Sequence, residues 1–258
     1  AIRDVGDWIM RRLGCICKRK FVKDLNLIRN MRYCVDKYKS IVCIYPEARY
    51  TLDGTTGFLP DSLGKMSKLL KVPAVVLRLY GTFVAAPQWN KDEQYLPIMC
   101  ELECVATAEE VRSLSADELN ARIHRAMQRD DYAYQREQGI LLKNPRRANG
   151  LHNILYQCPH CGTEFKMESS GTRLWCTACG KGWQMTELSE LVAEEGETEF
   201  SHIPDWMAWE RQNVRAEVRS GSYRFEDDVT VHTLPNAKRF YDQGMGRLIQ
   251  TPEGTRLV

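Results

Sequence analysis

Short unbroken apolar runs alternate along the first half of the chain with stretches of helical spacing. The most informative run is Ile41-Val-Cys-Ile-Tyr45, which has no polar alternation and is followed at once by Pro46, Glu47 and Arg49. An apolar run of this kind predicts a strand covered on both faces, and a proline, having no N–H to give a ladder, ends it. Similar runs are Leu13-Gly-Cys-Ile-Cys17, followed by Lys18, Arg19 and Lys20, and Ala74-Val-Val-Leu-Arg-Leu-Tyr80. Between them lie amphipathic patterns. Residues 4–13 align Val5, Trp8, Ile9 and Leu13, residues 21–40 align Val22, Leu25, Ile28 and Val35, and residues 62–71 form a third helix. This β-α-β-α-β rhythm predicts an α/β class, a mostly parallel sheet flanked by helices. Glu47 and Arg49 would then stand at the sheet edge where such folds bind ligands.

Further along, residues 99–107 alternate Cys100, Leu102 and Cys104 with Glu101 and Glu103 and predict one more strand. Ser115-Ala-Asp-Glu118 is a capping box that opens a helix to about residue 138, in which His124 is read as a surface or packing residue and not a catalyst. Polar residues 143–147 predict a boundary, giving an α/β domain over 1–145 and a second module over 150–200. Residues 201–258 predict a small helix, opened by Pro204 and carrying Trp206 and Trp209, followed by a β-hairpin element.

The second module carries the most specific pattern in the chain. Cys158-Pro-His-Cys161-Gly is separated by 14 residues from Cys176-Thr-Ala-Cys179-Gly. Each Cys-x-x-Cys turn brings two thiolates together and each following glycine permits a left-handed turn, so two such turns complete a tetrahedral four-sulfur site. A redox pair and two disulfides are the competing readings. Zinc ligated by Cys158, Cys161, Cys176 and Cys179 is the expectation, and with all four positions filled by sulfur its role is structural. His160 is surplus to the ligand set.

Charge changes the picture in two places. Residues 1–40 hold eleven Lys and Arg against four Asp, a lobe suited to phosphate groups or simply a solvated basic face. Residues 151–200 hold three Lys and Arg against eight Glu, which argues against nucleic acid and for a protein partner at the ribbon or simple stabilisation of a small C-terminal unit. No run of about 18 apolar residues is present, so no membrane span is predicted. The absence of a secretory leader points to the cytoplasm, where Cys15, Cys17, Cys34, Cys43, Cys100 and Cys104 are expected to be small buried hydrophobes. The chain opens on Ala1 inside a helical pattern, which predicts that its natural start is missing.

The order of a glycine strand with basic residues, then Tyr45-Pro-Glu-Ala-Arg49, then Val72-Pro-Ala-Val-Val-Leu77 resembles motifs two to four of the lysophospholipid (1-acyl-sn-glycerol-3-phosphate) acyltransferases, over residues 5–138. The resemblance implies a glycerophosphate-acyltransferase-like fold that moves a fatty acyl group from acyl-CoA or acyl carrier protein to a lysophospholipid, with peripheral contact at the inner face of the membrane. It implies substrate-binding roles for Glu47 and Arg49, with Arg19 or Lys20 adding charge. Where the family has Phe-Pro-Glu-Gly-Thr-Arg, this chain has Tyr-Pro-Glu-Ala-Arg, so the arginine is one place early. In the family a His-x4-Asp motif supplies the base, but the residues five positions after His124, His152, His160, His202 and His232 are Arg129, Gln157, Phe165, Met207 and Ala237. No catalytic residue is therefore assigned, and the chain as given is expected to be inactive. A non-catalytic zinc-ribbon adaptor on a degenerate acyltransferase core is the alternative. Pro252-Glu-Gly-Thr-Arg256 matches the family string letter for letter, but its position between Leu-Ile and Leu-Val predicts an ordinary hairpin turn.

Overall fold

A computed structural model describes residues 7–16, 25–47, 49–92, 94–235 and 239–258. The chain divides into two compact units, one formed by Ala1–Tyr45, Leu69–Val72 and Val218–Val258, the other by Pro46–Lys68 and Pro73–Glu217.

In the first unit the described elements are helix α1 (Asp7–Arg12), helix α2 (Leu25–Asp36) and three C-terminal strands. The strands, numbered in chain order, are β7 (Phe225–Thr233), β8 (Tyr241–Thr251) and β9 (Gly254–Leu257), an antiparallel meander. Thr251 pairs with Gly254, so Pro252 and Glu253 are the two residues of a tight hairpin turn, as the flanking apolar pairs suggested. The expected strands at 13–17 and 41–45 are not seen among the described residues. Leu13 and Gly14 close α1, and residues 41–45 make no ladder, leaving Ile41 96% and Tyr45 85% exposed.

The second unit begins with the 46–62 loop and most of helix α3 (Leu63–Leu70), then pairs β1 (Ala74–Tyr80) with β2 (Met99–Ala106). Proline before β1 and the β-branched Val75 and Val76 favour a strand there. The expected parallel sheet is not found. All described sheets, of two, four and three strands, are antiparallel. A parallel pair needs a helical crossover, whereas β1 and β2 are joined by a segment with only the four-residue α4 (Thr82–Ala85), after which the chain turns back beside β1. One face of this hairpin packs Val76 and Val105 on Leu63, Ile123 and Ala126. Arg78 reaches Glu101 at 3.2 Å and Glu103 at 2.7 Å on that side. The opposite face leaves Leu77, Leu102, Cys100 and Cys104 exposed. Cys15 and Cys43 are exposed and Cys34 is half-buried, so these cysteines are not the buried hydrophobes expected; Cys17 lies outside the described residues.

Capping boxes at Thr107/Glu110 and Ser115/Glu118 start α5 (Ala108–Ser113) and α6 (Ala116–Ala126). The long helix expected to about residue 138 is instead broken. Thr56 Oγ1 donates to the Met127 carbonyl at 2.6 Å and accepts from Arg129 N at 2.9 Å, and Asp131 N donates to the Gly54 carbonyl at 3.1 Å. Asp130, its carboxylate accepting from Tyr132 N and Ala133 N, then caps a new helix, α7 (Asp131–Glu137).

The cysteine-rich segment forms an antiparallel meander, β3 (Met167–Ser170), β4 (Arg173–Cys176), β5 (Gly182–Met185) and β6 (Leu191–Ala193), followed by helix α8 (Ile203–Ser220). One continuous core joins it to the preceding helices: Phe83, Val84, Trp89, Tyr132 and Leu142 pack with Leu151, Leu155, Trp183, Met185 and Trp206. No helix among the described residues is long and apolar enough to cross a membrane.

Candidate metal centre and the 46–57 loop

The two Cys-x-x-Cys turns fold alike because the same backbone bonds close them. Gly162 N donates to the Cys158 carbonyl and Gly180 N to the Cys176 carbonyl, each at 2.9 Å. Cys158 N donates to Thr163 O and Cys176 N to Lys181 O, again each at 2.9 Å. Gly162 (φ 76°) and Gly180 (φ 79°) take the left-handed conformation that a side chain would resist. The turns face each other. Cys158 Sγ lies 3.8 Å from Cys179 Sγ, and Cys161 Sγ lies 3.8 Å from Cys176 Sγ, with all four sulfurs within 4.8 Å of one another.

These distances decide between the chemistries. A disulfide needs sulfurs about 2.05 Å apart. A tetrahedral ion with metal–sulfur bonds of about 2.3 Å has sulfur–sulfur edges of about 3.8 Å. The four cysteines are therefore placed to hold a metal ion. Without one, burial pushes the Cys158 and Cys179 thiols up, whereas the Thr163 hydroxyl, 3.3 Å from Cys161 Sγ, draws that thiol down to about 6. A bound cation is what lets crowded sulfurs share negative charge. The first cysteine of each turn is fully buried and the second exposed. His160 turns away to Glu199, at 3.4 Å, which also receives Lys181 at 3.6 Å and the Trp183 indole N–H at 3.2 Å.

No protein family, curated protein or solved structure matches this chain.

The other expected site residues fall on the 46–57 loop. Glu47 Oε2 accepts from Gly57 N at 3.1 Å, and a methyl group placed on Gly57 would stand 3.2 Å from Glu47 Oε2 and 3.9 Å from Arg49 Nε. Both side chains thus gather over this glycine. They belong to a loop and not to the edge of a sheet, since no strand precedes them among the described residues. Arg19 and Lys20 lie outside the described residues. His124 Nε2 is 3.3 Å from the Pro60 carbonyl, a packing contact within its helix's surroundings.

The loop is held by residues that the sequence reasoning missed. Asp53 Oδ1 accepts from the Thr51 hydroxyl at 2.9 Å, the Thr55 hydroxyl at 2.8 Å and Thr55 N at 3.2 Å. Burial alone would push the Asp53 carboxyl up, but the bonds from Thr55, Thr51 and Arg211 outweigh it and hold the group below its ordinary range. The Thr-x-Asp-x-Thr spacing was a usable signal for this turn. Gly54 sits at φ 71°, where a Cβ would meet the Phe83 ring at 2.7 Å. His202 Nε2 is 2.7 Å from Asp130 Oδ2, while its Nδ1 is 2.9 Å from Arg136 Nη1, so this His–Asp pair ties the start of α7 to the segment before α8.

Proposed function

We propose that this chain serves acyl transfer from acyl-CoA or acyl carrier protein to a lysophospholipid such as 1-acylglycerol-3-phosphate, and that its part in the reaction is to hold the acceptor. The observation that carries this reading is that the Glu47 carboxylate and the Arg49 guanidinium both approach Gly57. An arginine donates to phosphate through a planar fork, and a carboxylate beside it accepts from a glycerol hydroxyl or fixes the guanidinium. In such a transfer the thioester C–S bond breaks, an ester C–O bond forms, and the acceptor hydroxyl gives up its proton to a base. No histidine here has aspartate five positions on, so proton transfer is not assigned to these residues. That same feature favours the second reading, a non-catalytic protein-binding module.

We also assign zinc to the four-cysteine site, because sulfur donors at tetrahedral spacing with no open position suit a structural ion of that kind. When bound, the ion supplies cross-linking of the two turns and no reaction chemistry.

Titration of the chain with sn-glycerol 3-phosphate and with lysophosphatidate tests the acceptor reading. Glu47→Gln and Arg49→Ala are each expected to weaken binding by about tenfold or more, the worth of one charge-assisted bond. Glu253→Gln, in the hairpin turn, should leave it unchanged. Absence of binding by the unaltered chain, or loss in the Glu253 variant alone, would overturn the reading in favour of the module.

A further inference from the structure

We infer that helix α8 is a strut that fixes the 46–57 loop from the four-cysteine module, with Arg211 as the positioning residue. Its significance for acceptor binding rests on the reading of Glu47 and Arg49 given above.

The first turns of α8 are embedded in the module. Ile203 and Trp206 are fully buried in the shared core, and the Trp206 ring meets Trp183 at 5.0 Å between centroids. Three residues on one side of the helix grip Gln157, which directly precedes the first cysteine turn. Trp206 Nε1 donates to the Gln157 carbonyl at 3.0 Å, Glu210 Oε1 accepts from Gln157 N at 2.9 Å, and Asn213 Nδ2 donates to Gln157 Oε1 at 2.8 Å. The helix position is therefore set by the segment that leads into the metal centre.

The neighbouring side of the same helix reaches the loop. Arg211 Nη2 lies 2.7 Å from Asp53 Oδ2, and the Asp53 side chain is 5% exposed against 49% for Arg211. The asymmetry matters, because a carboxylate buried this deeply depends on its cation, whereas the arginine could be satisfied by water. The other Asp53 oxygen organises Thr51 and Thr55, two residues short of Gly57, the amide held by Glu47. Disturbance thus has a short covalent and hydrogen-bonded route: cysteine turn, Gln157, α8, Arg211, Asp53, Thr55, Gly57.

Hydrogen exchange of the metal-loaded full chain tests this, with the amides of Thr55 and Gly57 as reporters since each donates to a side chain of the loop. Arg211→Gln, a change at a half-exposed position, is expected to speed exchange at both amides by about tenfold, and Arg211→Lys to restore most of the protection. Metal content and the exchange of β4 and β5 amides should stay as in the parent, which a general loss of stability would not allow. Unchanged exchange at Thr55 and Gly57 in Arg211→Gln would overturn the strut, whatever the acceptor does. Faster exchange together with weaker sn-glycerol 3-phosphate binding supports the full inference. Faster exchange in a chain whose parent does not bind that phosphate supports the strut and overturns the acceptor reading alone.

Discussion

Glu210 offers a direct test of how the helix is seated, because it is a carboxyl group placed where ionisation is costly. It is 2% exposed, and burial pushes its pKa from 4.5 up to about 7, against the opposing bonds from Gln157 N and Tyr156 N. A folded-state value above the unfolded one means that the folded chain binds the extra proton. Its stabilising contribution is therefore complete below pH 4.5 and is lost as pH rises through about 7. Over that interval the slope is roughly 1.4 kcal/mol per pH unit, so the whole effect is about 3 kcal/mol. Glu210→Gln keeps an oxygen that accepts from Gln157 N but cannot titrate. Urea unfolding of parent and variant at pH 5, 6, 7 and 8 with saturating metal should show the difference in stability moving towards the variant by a few kcal/mol across the range, most of it between pH 5 and 7. Comparing the two proteins cancels the other titrating groups, including the thiols. A constant difference at all four pH values would refute the assignment of buried, protonated Glu210.

Elemental analysis should find one zinc per chain, and Cys176→Ser should lower that content and disrupt the shared core, since Cys176 is itself fully buried within it; metal content near zero in the parent purified without chelator would refute the site. Gly54→Ala places a Cβ 2.7 Å from the Phe83 ring at a left-handed backbone position, and a loss of about 2 kcal/mol or more in unfolding free energy is expected, whereas a neutral change would show the loop to be loosely held.

Much of the local structure was legible in the sequence because its causes lie within a few residues. The two Cys-x-x-Cys-Gly turns, the Ser115 capping box, the Pro73-led strand, the helix opened at Pro204 and the Pro252-Glu253 hairpin each carry their own geometry in neighbouring side chains. The loop position of Glu47 and Arg49 was partly legible, since Pro46 announced an end but not what preceded it. Tertiary structure decided the rest. The apolar run at 41–45 specifies a preference for burial and not a partner, so the parallel sheet inferred from it depended on contacts that the described structure does not make. The alternation in β2 was correct as a strand signal, but its apolar side proved to be the exposed one, because Arg78 draws Glu101 and Glu103 to the packed face. The helix expected to run to residue 138 is interrupted because Thr56, some seventy residues earlier, takes the Met127 carbonyl and the Arg129 amide. The dependence of Asp53 on Arg211 has no local signature at all. Spacing and capping fix what a residue does with its neighbours, while burial, pairing and long-range ion pairs exist only once distant segments have met.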